Sequence, residues 1–583
     1  MYAISGSLQR LPRLSVAMTP SAAEEGLRIS FDGRIDDRNE LLSALSLSWQ
    51  STDAAIVAAA YRRWGGDFLS HLSGDFVLAL WDGGTQELLL ARDCFGTAPL
   101  FYHRNLNGVS WSSRLGELAA ETGCDRRPDP HFVAGFLSFG RRGDVSPYAA
   151  IAAVPPAGFV RLTPNQEIAG KHWRLDPERE IRRRNDAEYE DEFFALFERS
   201  VRNRLRASGP VFCELSGGVD SSSIVGVADA ICRTERRSAE SLQTVSYIYD
   251  EVASFDDRPH IAIAEKAFGR RSHDIHEREW PLLNATTEDY AFDEPSPAWM
   301  GTAILSAMKK TMAAAGSSVL LGGLGGDDLC WSEIDFPPQI ADAVKNFHFG
   351  RAVRESRLWA EAMKKPQSLL LKKAVAMVFG AVDGKVMPWI DRRFARLSNM
   401  DRPWDEIEEA RAIRLPSRKL QFLGLHSLAV EIGAMRVICP EIDHRYPFAD
   451  RALVEFVFSI PIEQHLRPNE TRSLQRRAMA RVLPRELAYR RTKGTAGATL
   501  YRRFREQWPA IKSIFAAPRV CDYGYVDRTA LAASLQRAAH GQNVNAPGLL
   551  RLLALEMWLR TLERPLAAVD PRDRQDEFAN GRR

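Results

Sequence analysis

The sequence predicts an α/β chain of two domains, the second built around a parallel sheet. Three observations carry that prediction. At 583 residues the chain exceeds what a single hydrophobic core normally serves. Two glycine-rich acidic turns, in CELSGGVDSSS (Cys213–Ser223) and SVLLGGLGGDDL (Ser318–Leu329), each follow directly on a short β-like run. Turns of that kind belong at the carboxyl ends of parallel strands, where such sheets bind ligands. The first third instead shows strand-like alternation, as in GDFVLALWD over Gly74–Asp82.

Bulk properties exclude several classes. A net charge of +3 gives no reason to expect nucleic acid or a membrane surface as partner. The seven cysteines contain no CxxC pair, which argues against a zinc site and a secreted disulfide framework. The opening MYAISGSLQRLPRLS lacks a charged leader followed by an apolar core, and the longest apolar run, Ala374–Val382, is too short to cross a bilayer. The expectation is a cytoplasmic protein with no membrane span.

In the first turn, the apolar run Val211–Leu215 leads into two glycines and then a helix-like SSSIVGVADAICR. Gly217 and Gly218 let the main chain approach phosphate oxygens without a Cβ in the way. The helix start presents free N–H groups, and Ser216, Ser221 and Ser222 add hydroxyl donors. Asp220 would repel a bare phosphate, so its presence predicts a cation between them, most simply Mg²⁺. No Gly-Lys-Ser/Thr follows, so this is not a Walker loop. SGGVDSS resembles the pyrophosphate loop of the ATP pyrophosphatase superfamily. That resemblance implies ATP cleavage between the α and β phosphates and an adenylated intermediate.

The second turn repeats the logic. Gly322 and Gly323 offer backbone to the nucleotide, and Asp327 is the candidate partner of Asp220 on Mg²⁺. Between the turns, Leu242–Tyr249 reads as another strand.

Further motifs make the resemblance specific. SGGVDSS, Asp256–Pro259, GGLGGDD, RYPFAD over Arg445–Asp450 and LPRELAYRRTKGT resemble the asparagine synthetase family. The match implies that Lys493 stabilises charge on the activated acyl phosphate. It also implies that Leu215 and Tyr247 offer backbone groups to adenine. Residues 1–160 resemble the family's glutamine amidotransferase domain, with LLLARDCFGTAPLFYH from Leu88 as the clearest stretch. An N-terminal-nucleophile (Ntn) αββα domain is the fold this implies.

The amidase chemistry is missing from that domain. Tyr2 stands where the family has its cysteine nucleophile, and a phenol with a pKa of about 10 is a poor substitute. Asp32-Gly33 replaces the family's Asn-Gly, and an ionised acid cannot donate a hydrogen bond. No Arg-Gly-Pro-Asp occurs in the first 60 residues, although Asp53 survives at a substrate-binding position. Glutamine hydrolysis is expected to be lost and the domain to persist as scaffold.

An adenylate then needs another nucleophile: free ammonia, or an amine on the substrate. The second occurs in β-lactam synthetases and lasso peptide cyclases, which also resemble this family. Position 324 is Glu in asparagine synthetases and Tyr in β-lactam synthetases; here it is Leu324. A peptide α-amine, with a pKa of about 7.7–8.0, needs less help than ammonia. Asp443 is a candidate base or amine orienter, or alternatively an ion-pair partner of Arg445. The long segment from Trp331 to about Leu423 reads as a core-packing helical hairpin or as a surface for a peptide or the partner that delivers it. Its basic residues are not confined to one face, which disfavours a membrane role.

The expected organisation is a glutamine amidotransferase-like domain over 1–175, a synthetase domain over 187–565 and a polar tail over 566–583. PEREIRRRND is the linker. The expected activity is ATP-dependent, AMP-forming amide ligation with ATP and Mg²⁺. The expected substrate is a peptide closed between its N-terminal amine and an Asp or Glu side chain, as in lasso peptide cyclases. The resemblance implies a leader-peptide protease and a precursor-recognition protein as partners. The alternatives are an asparagine synthetase using free ammonia and a non-catalytic scaffold.

Overall fold

The computed structural model describes residues 4–9, 15–18, 21–24, 26–138, 143–250, 256–276, 292–296, 302–332, 334–379, 386–400, 408–490, 505–542 and 545–563. Among the described residues, the first domain holds eleven strands. They are β1 (Ser5–Gln9), β2 (Ser15–Met18), β3 (Ala22–Glu24), β4 (Leu27–Ile35), β5 (Gly74–Asp82) and β6 (Glu87–Arg92). There follow β7 (Phe101–Asn105), β8 (Gly108–Ser112), β9 (Ala152–Ala153), β10 (Gly158–Leu162) and β11 (Glu167–Lys171). They form two antiparallel sheets, ordered β2-β1-β8-β7-β9 and β11-β10-β6-β5-β4-β3.

Period-two alternation explains the layering. Phe76, Leu78 and Leu80 of β5 face a cluster with Ile56, Val57 and Ala60 of the helix Asp53–Trp64. Val77, Ala79 and Trp81 face the other way, joining Leu100, Val109 and Trp111 between the sheets. The helix Leu115–Thr122 covers the outer face of β7 and β8. The result is the expected αββα sandwich. The retained ARDCFG stretch serves this fold. Buried Arg92 donates to the carbonyls of Gly96, Ala98 and Val154, and Asp93 accepts from the Phe76, Phe95 and Thr97 amides.

The second domain opens with the helix Asp186–Arg204, capped by Asn185, which accepts from the Glu188 amide. Its sheet contains β12 (Val211–Glu214), β13 (Leu242–Ile248), β14 (Ser272–His276), β15 (Val319–Leu321) and β16 (Asp443–Arg445). All pairs are parallel and the order is β14-β13-β12-β15-β16. Helices Asp186–Arg204, Val219–Thr234 and Arg451–Ser459 cover one face and Thr302–Ala314 the other. From β12 the chain first builds outward through β13 and β14, then returns to place β15 on the opposite side. The loops after β12 and β15 therefore flank the point where strand order reverses, the crevice where open parallel sheets take ligands.

The 331–423 segment is more than a hairpin. Helices Pro338–Lys345, Phe349–Met363 and Gln367–Val378 share a small core around Ile340, Trp359, Leu370 and Ala374. A further cluster crosses the expected domain boundary. Phe132, Phe136 and Tyr148 pack with Leu552, Leu555 and Trp558 of the helix Ala546–Thr561, the Tyr148 and Trp558 rings lying 5.9 Å apart. Among the described residues, no helix is long and apolar enough to cross a membrane.

Candidate active site

The loop after β12 is shaped by its glycines and serines. Gly217 has φ +65°, and a side chain there would start 2.5 Å from His260 Cβ, so only glycine fits. Ser221 Oγ lies 3.0 Å from Ser216 Oγ and accepts from the Ser216 amide, while the Gly218 amide reaches Ser216 Oγ at 3.4 Å. Gly218 caps the helix Val219–Thr234, whose first amides point into the crevice. Ser222 Oγ is buried and, among the described residues, has no hydrogen-bond partner.

The two acidic turns interlock. A side chain on Gly326 would start 2.6 Å from Asp220 Cγ, and one on Gly323 3.5 Å from the Ser221 nitrogen. The Asp220 carboxylate thus rests against the start of the Gly326–Cys330 helix. Both predicted metal acids converge on one guanidinium. Arg472 Nη2 donates to Asp220 Oδ2 at 2.8 Å and also to Asp327 Oδ1. Gln475 Nε2 holds the other Asp220 oxygen at 2.9 Å. Arg472 reaches there from a left-handed backbone, φ +55°, at the start of the Ser473–Met479 helix.

Asp327, rather than Asp328, faces the cleft. Burial, with Glu431 beside it, pushes the Asp328 carboxyl up to about 6. Two hard carboxylate oxygens meeting at one cationic position suit Mg²⁺. Phosphate oxygens and water would complete the shell of such an ion.

Other predicted residues are placed as follows. The Leu215 amide donates to the Val245 carbonyl, and its carbonyl accepts from Ser246 Oγ at 2.6 Å. Strand pairing thus occupies its amide, and only the second lone pair of its carbonyl remains for adenine. Tyr247 lies two residues past the last β12–β13 pair, so its backbone faces the crevice on that side. Lys493 lies outside the described residues. Arg490, three residues earlier, donates to the Ser216 carbonyl and to Asp257, so the chain leading to Lys493 starts on the phosphate loop.

Asp443, read as a base or amine orienter or as an ion-pair partner of Arg445, lies apart from Asp220 and Asp327. In β16 it pairs with Val319, three residues before Gly322, which puts it about 10 Å back along the sheet at its amino end. Arg445 holds its Oδ2 with two hydrogen bonds of 3.0 and 2.7 Å, and Arg436 lies 3.6 Å from Oδ1. Burial alone would push this carboxyl up, but the two guanidiniums outweigh it and hold it below the usual value. The structure shows the ion-pair arrangement with Arg445.

The amidase-like pocket meets this same network. Arg436, from the long helix Pro416–Ile438, donates to Asp32 Oδ2 at 2.8 Å across the domain interface. Asp32, Arg34, Asp75, Arg436, Asp443 and Arg445 line a residual cavity of about 80 Å³. Asp53 accepts from the Ile35 amide and from Arg38 and Arg206. Tyr2 lies outside the described residues. The acid that replaces the amidase asparagine is thus committed to an arginine of the other domain.

Arg472, Gln475 and Arg436 escaped sequence reasoning. Each lies between the motifs, where no local pattern sets Gln475 apart and the chain's many arginines mask Arg436 and Arg472.

A phosphate loop, a paired-acid cation position and a parallel-sheet switch point define an ATP-dependent carbon–nitrogen ligase of the asparagine synthetase type. Comparison supports that class. The asparagine synthase family profile matches residues 192–560, and the glutamine amidotransferase domain profile matches 16–173. The chain belongs to the asparagine synthase family. Glutamine-hydrolyzing asparagine synthetase 3 of Bacillus subtilis is 24% identical over 479 residues, covering 78% of this chain and 72% of that protein. Amidase chyE of Penicillium rubens is 28% identical over 329 residues, 51% of this chain and 46% of the other. Glutamine-hydrolyzing asparagine synthetase 1 of Bacillus subtilis is 28% identical over 213 residues, 36% and 33% respectively.

Proposed function

We propose that the chain adenylates a carboxylate with ATP and closes it with an amine of the same peptide, giving a lasso-type macrolactam. The observation that carries the adenylation step is the convergence of Asp220 and Asp327 on one cationic position beside the Ser216–Ser222 loop. The loop amides and the hydroxyls of Ser216, Ser221 and Ser222 would hold the β and γ phosphates. Asp220 and Asp327 would hold Mg²⁺, which supplies charge neutralisation on the departing pyrophosphate. Arg472 adds a fixed positive charge at the same place, and Lys493 is proposed to act on the α-phosphate. The substrate carboxylate attacks the α-phosphorus, pyrophosphate leaves, and the amine then displaces AMP.

Two observations support a substrate amine as the nucleophile. Asp32 stands at the amidase position and is tied to Arg436, and position 324 carries neither Glu nor Tyr. Membership of the asparagine synthase family keeps free ammonia as the second reading. A cytoplasmic setting, a leader-peptide protease and a precursor-recognition protein belong to this proposal.

The test is pyrophosphate release from ATP with synthetic linear peptides that carry a free amino terminus and one Asp or Glu. Loss of one water from the peptide mass supports closure. Conversion of aspartate to asparagine with ammonium, and silence on every peptide, would replace it with the second reading.

A further inference from the structure

One carboxylate beside the site has no part in the chemistry so far. Glu214 ends β12, two residues before Ser216. Its strand neighbour Phe212, on the same face, is fully buried in an apolar cluster with Val245, Met308 and Leu320. An acid there costs desolvation unless something offsets it. Tyr247 Oη donates to Glu214 Oε1 at 3.2 Å, and the Gly323 amide also donates to the carboxylate. No lysine, arginine or histidine pairs with it among the described residues. Burial pushes its carboxyl above the ordinary value.

The second oxygen faces the cleft turn. A side chain on Gly322 would start 3.1 Å from Glu214 Oε2 and 3.3 Å from the Tyr446 ring, so only glycine packs against the pair, and Glu214 keeps partial exposure. Tyr446 is 5% exposed, and its hydroxyl has no hydrogen-bond partner among the described residues. The next residue, Gly323, lies against Asp220 and Ser221. Only the Gly322–Gly323 turn therefore separates Glu214 from the phosphate loop. A desolvated carboxylate with no cation among the described residues, next to a phenol with no partner among them, is a place for a basic nitrogen.

We infer that Glu214 receives the attacking amine of the substrate, with Tyr446 as its second contact. This rests on the amide-ligase reading above. The amine nitrogen forms the C–N bond to the acyl carbon as the C–O bond to AMP breaks, and that bonding pair leaves on the AMP phosphate. The nitrogen's proton passes to Glu214 Oε2 and then to solvent.

The test separates adenylation from closure. The probes are the same synthetic peptides, with hydroxylamine as a second nucleophile. Hydroxylamine traps the acyl-adenylate as a hydroxamate and needs little base assistance. Glu214→Gln, which keeps the shape, is expected to lower closure by about 100-fold, the range of a lost general base, and to leave hydroxamate formation within about threefold. Tyr446→Phe, which deletes only the hydroxyl, is expected to lower closure by about tenfold with adenylation intact. Unchanged closure in both variants overturns the assignment alone. An equal fall in hydroxamate and closure overturns it in favour of a structural role. Silence of the unaltered protein on every peptide overturns the peptide reading and the assignment with it.

Discussion

Arg436 donates to Asp32 Oδ2 at 2.8 Å, and this pair joins the two domains at the Asp32-Gly33 turn. Burial pushes the Asp32 carboxyl up, and Arg436 pulls it part of the way back. Removing the arginine therefore leaves a poorly solvated acid. Arg436→Ala is expected to lower stability by about 2 kcal/mol, less than the 3–5 kcal/mol of a fully buried pair because both side chains keep some exposure. Adding Asp32→Asn recovers part of the loss. Denaturant unfolding of the native chain and the two variants checks this, and none of the three proteins is expected to release ammonia from glutamine.

Asp220→Asn and Asp327→Asn keep side-chain shape but remove the charge that pairs with the metal. Each is expected to lower ATP–pyrophosphate exchange by about 100-fold or more. Circular dichroism should be unchanged, since the amide oxygen introduced by Asp220→Asn can still accept from Gln475. Exchange at a normal rate in Asp220→Asn would mean that the cation position is elsewhere.

Arg472 stands in for a cation between the two acids. Arg472→Ala leaves Asp220 and Asp327 facing each other without it. Calorimetry in the absence of nucleotide is expected to show Mg²⁺ binding the variant at least tenfold more tightly than the native chain. Exchange activity falls at the same time, because the fixed charge on the phosphates is gone.

Stability should also report two buried histidines. Burial pushes both His444 and His465 down to about 4, and His465 packs its Nε2 against the Val457 carbonyl at 3.0 Å. Between pH about 6.5 and about 4 the unfolded chain takes up these protons and the folded chain does not. Stability therefore falls as pH drops through that window, by up to about 3 kcal/mol per histidine. The Asp443 ion pairs weaken only at lower pH, below the usual carboxylate value. Thermal midpoints between pH 7 and 4.5 should fall, and His465→Asn should flatten the slope.

Much of this arrangement was legible in the chain. Local signals were enough for the β12 loop, because Gly217 and Gly218 follow an apolar run and precede small helix formers. Period-two alternation revealed β5, with both faces buried. The layout of Asp443 was not legible, since a resemblance gives sequence position but not which end of a strand a residue occupies. Arg472 was hidden for another reason. It reaches Asp220 across 252 residues of sequence from a left-handed backbone, and no local pattern announces such a contact. Glu214 is not set apart by any local pattern, because the apolar cluster and the Tyr247 hydroxyl around it are assembled only by the sheet.

The cluster joining Tyr148 to Trp558 has a bearing on biosynthesis. The helix Ala546–Thr561 completes a core that the first 153 residues begin. About 400 residues must be translated in between, which takes about 20–80 s at ordinary elongation rates. Throughout that interval the nascent first third exposes Phe132, Phe136 and Tyr148 to solvent, where a chaperone or a neighbouring chain can bind them. A helix that leaves the ribosome late thus seals what emerged early.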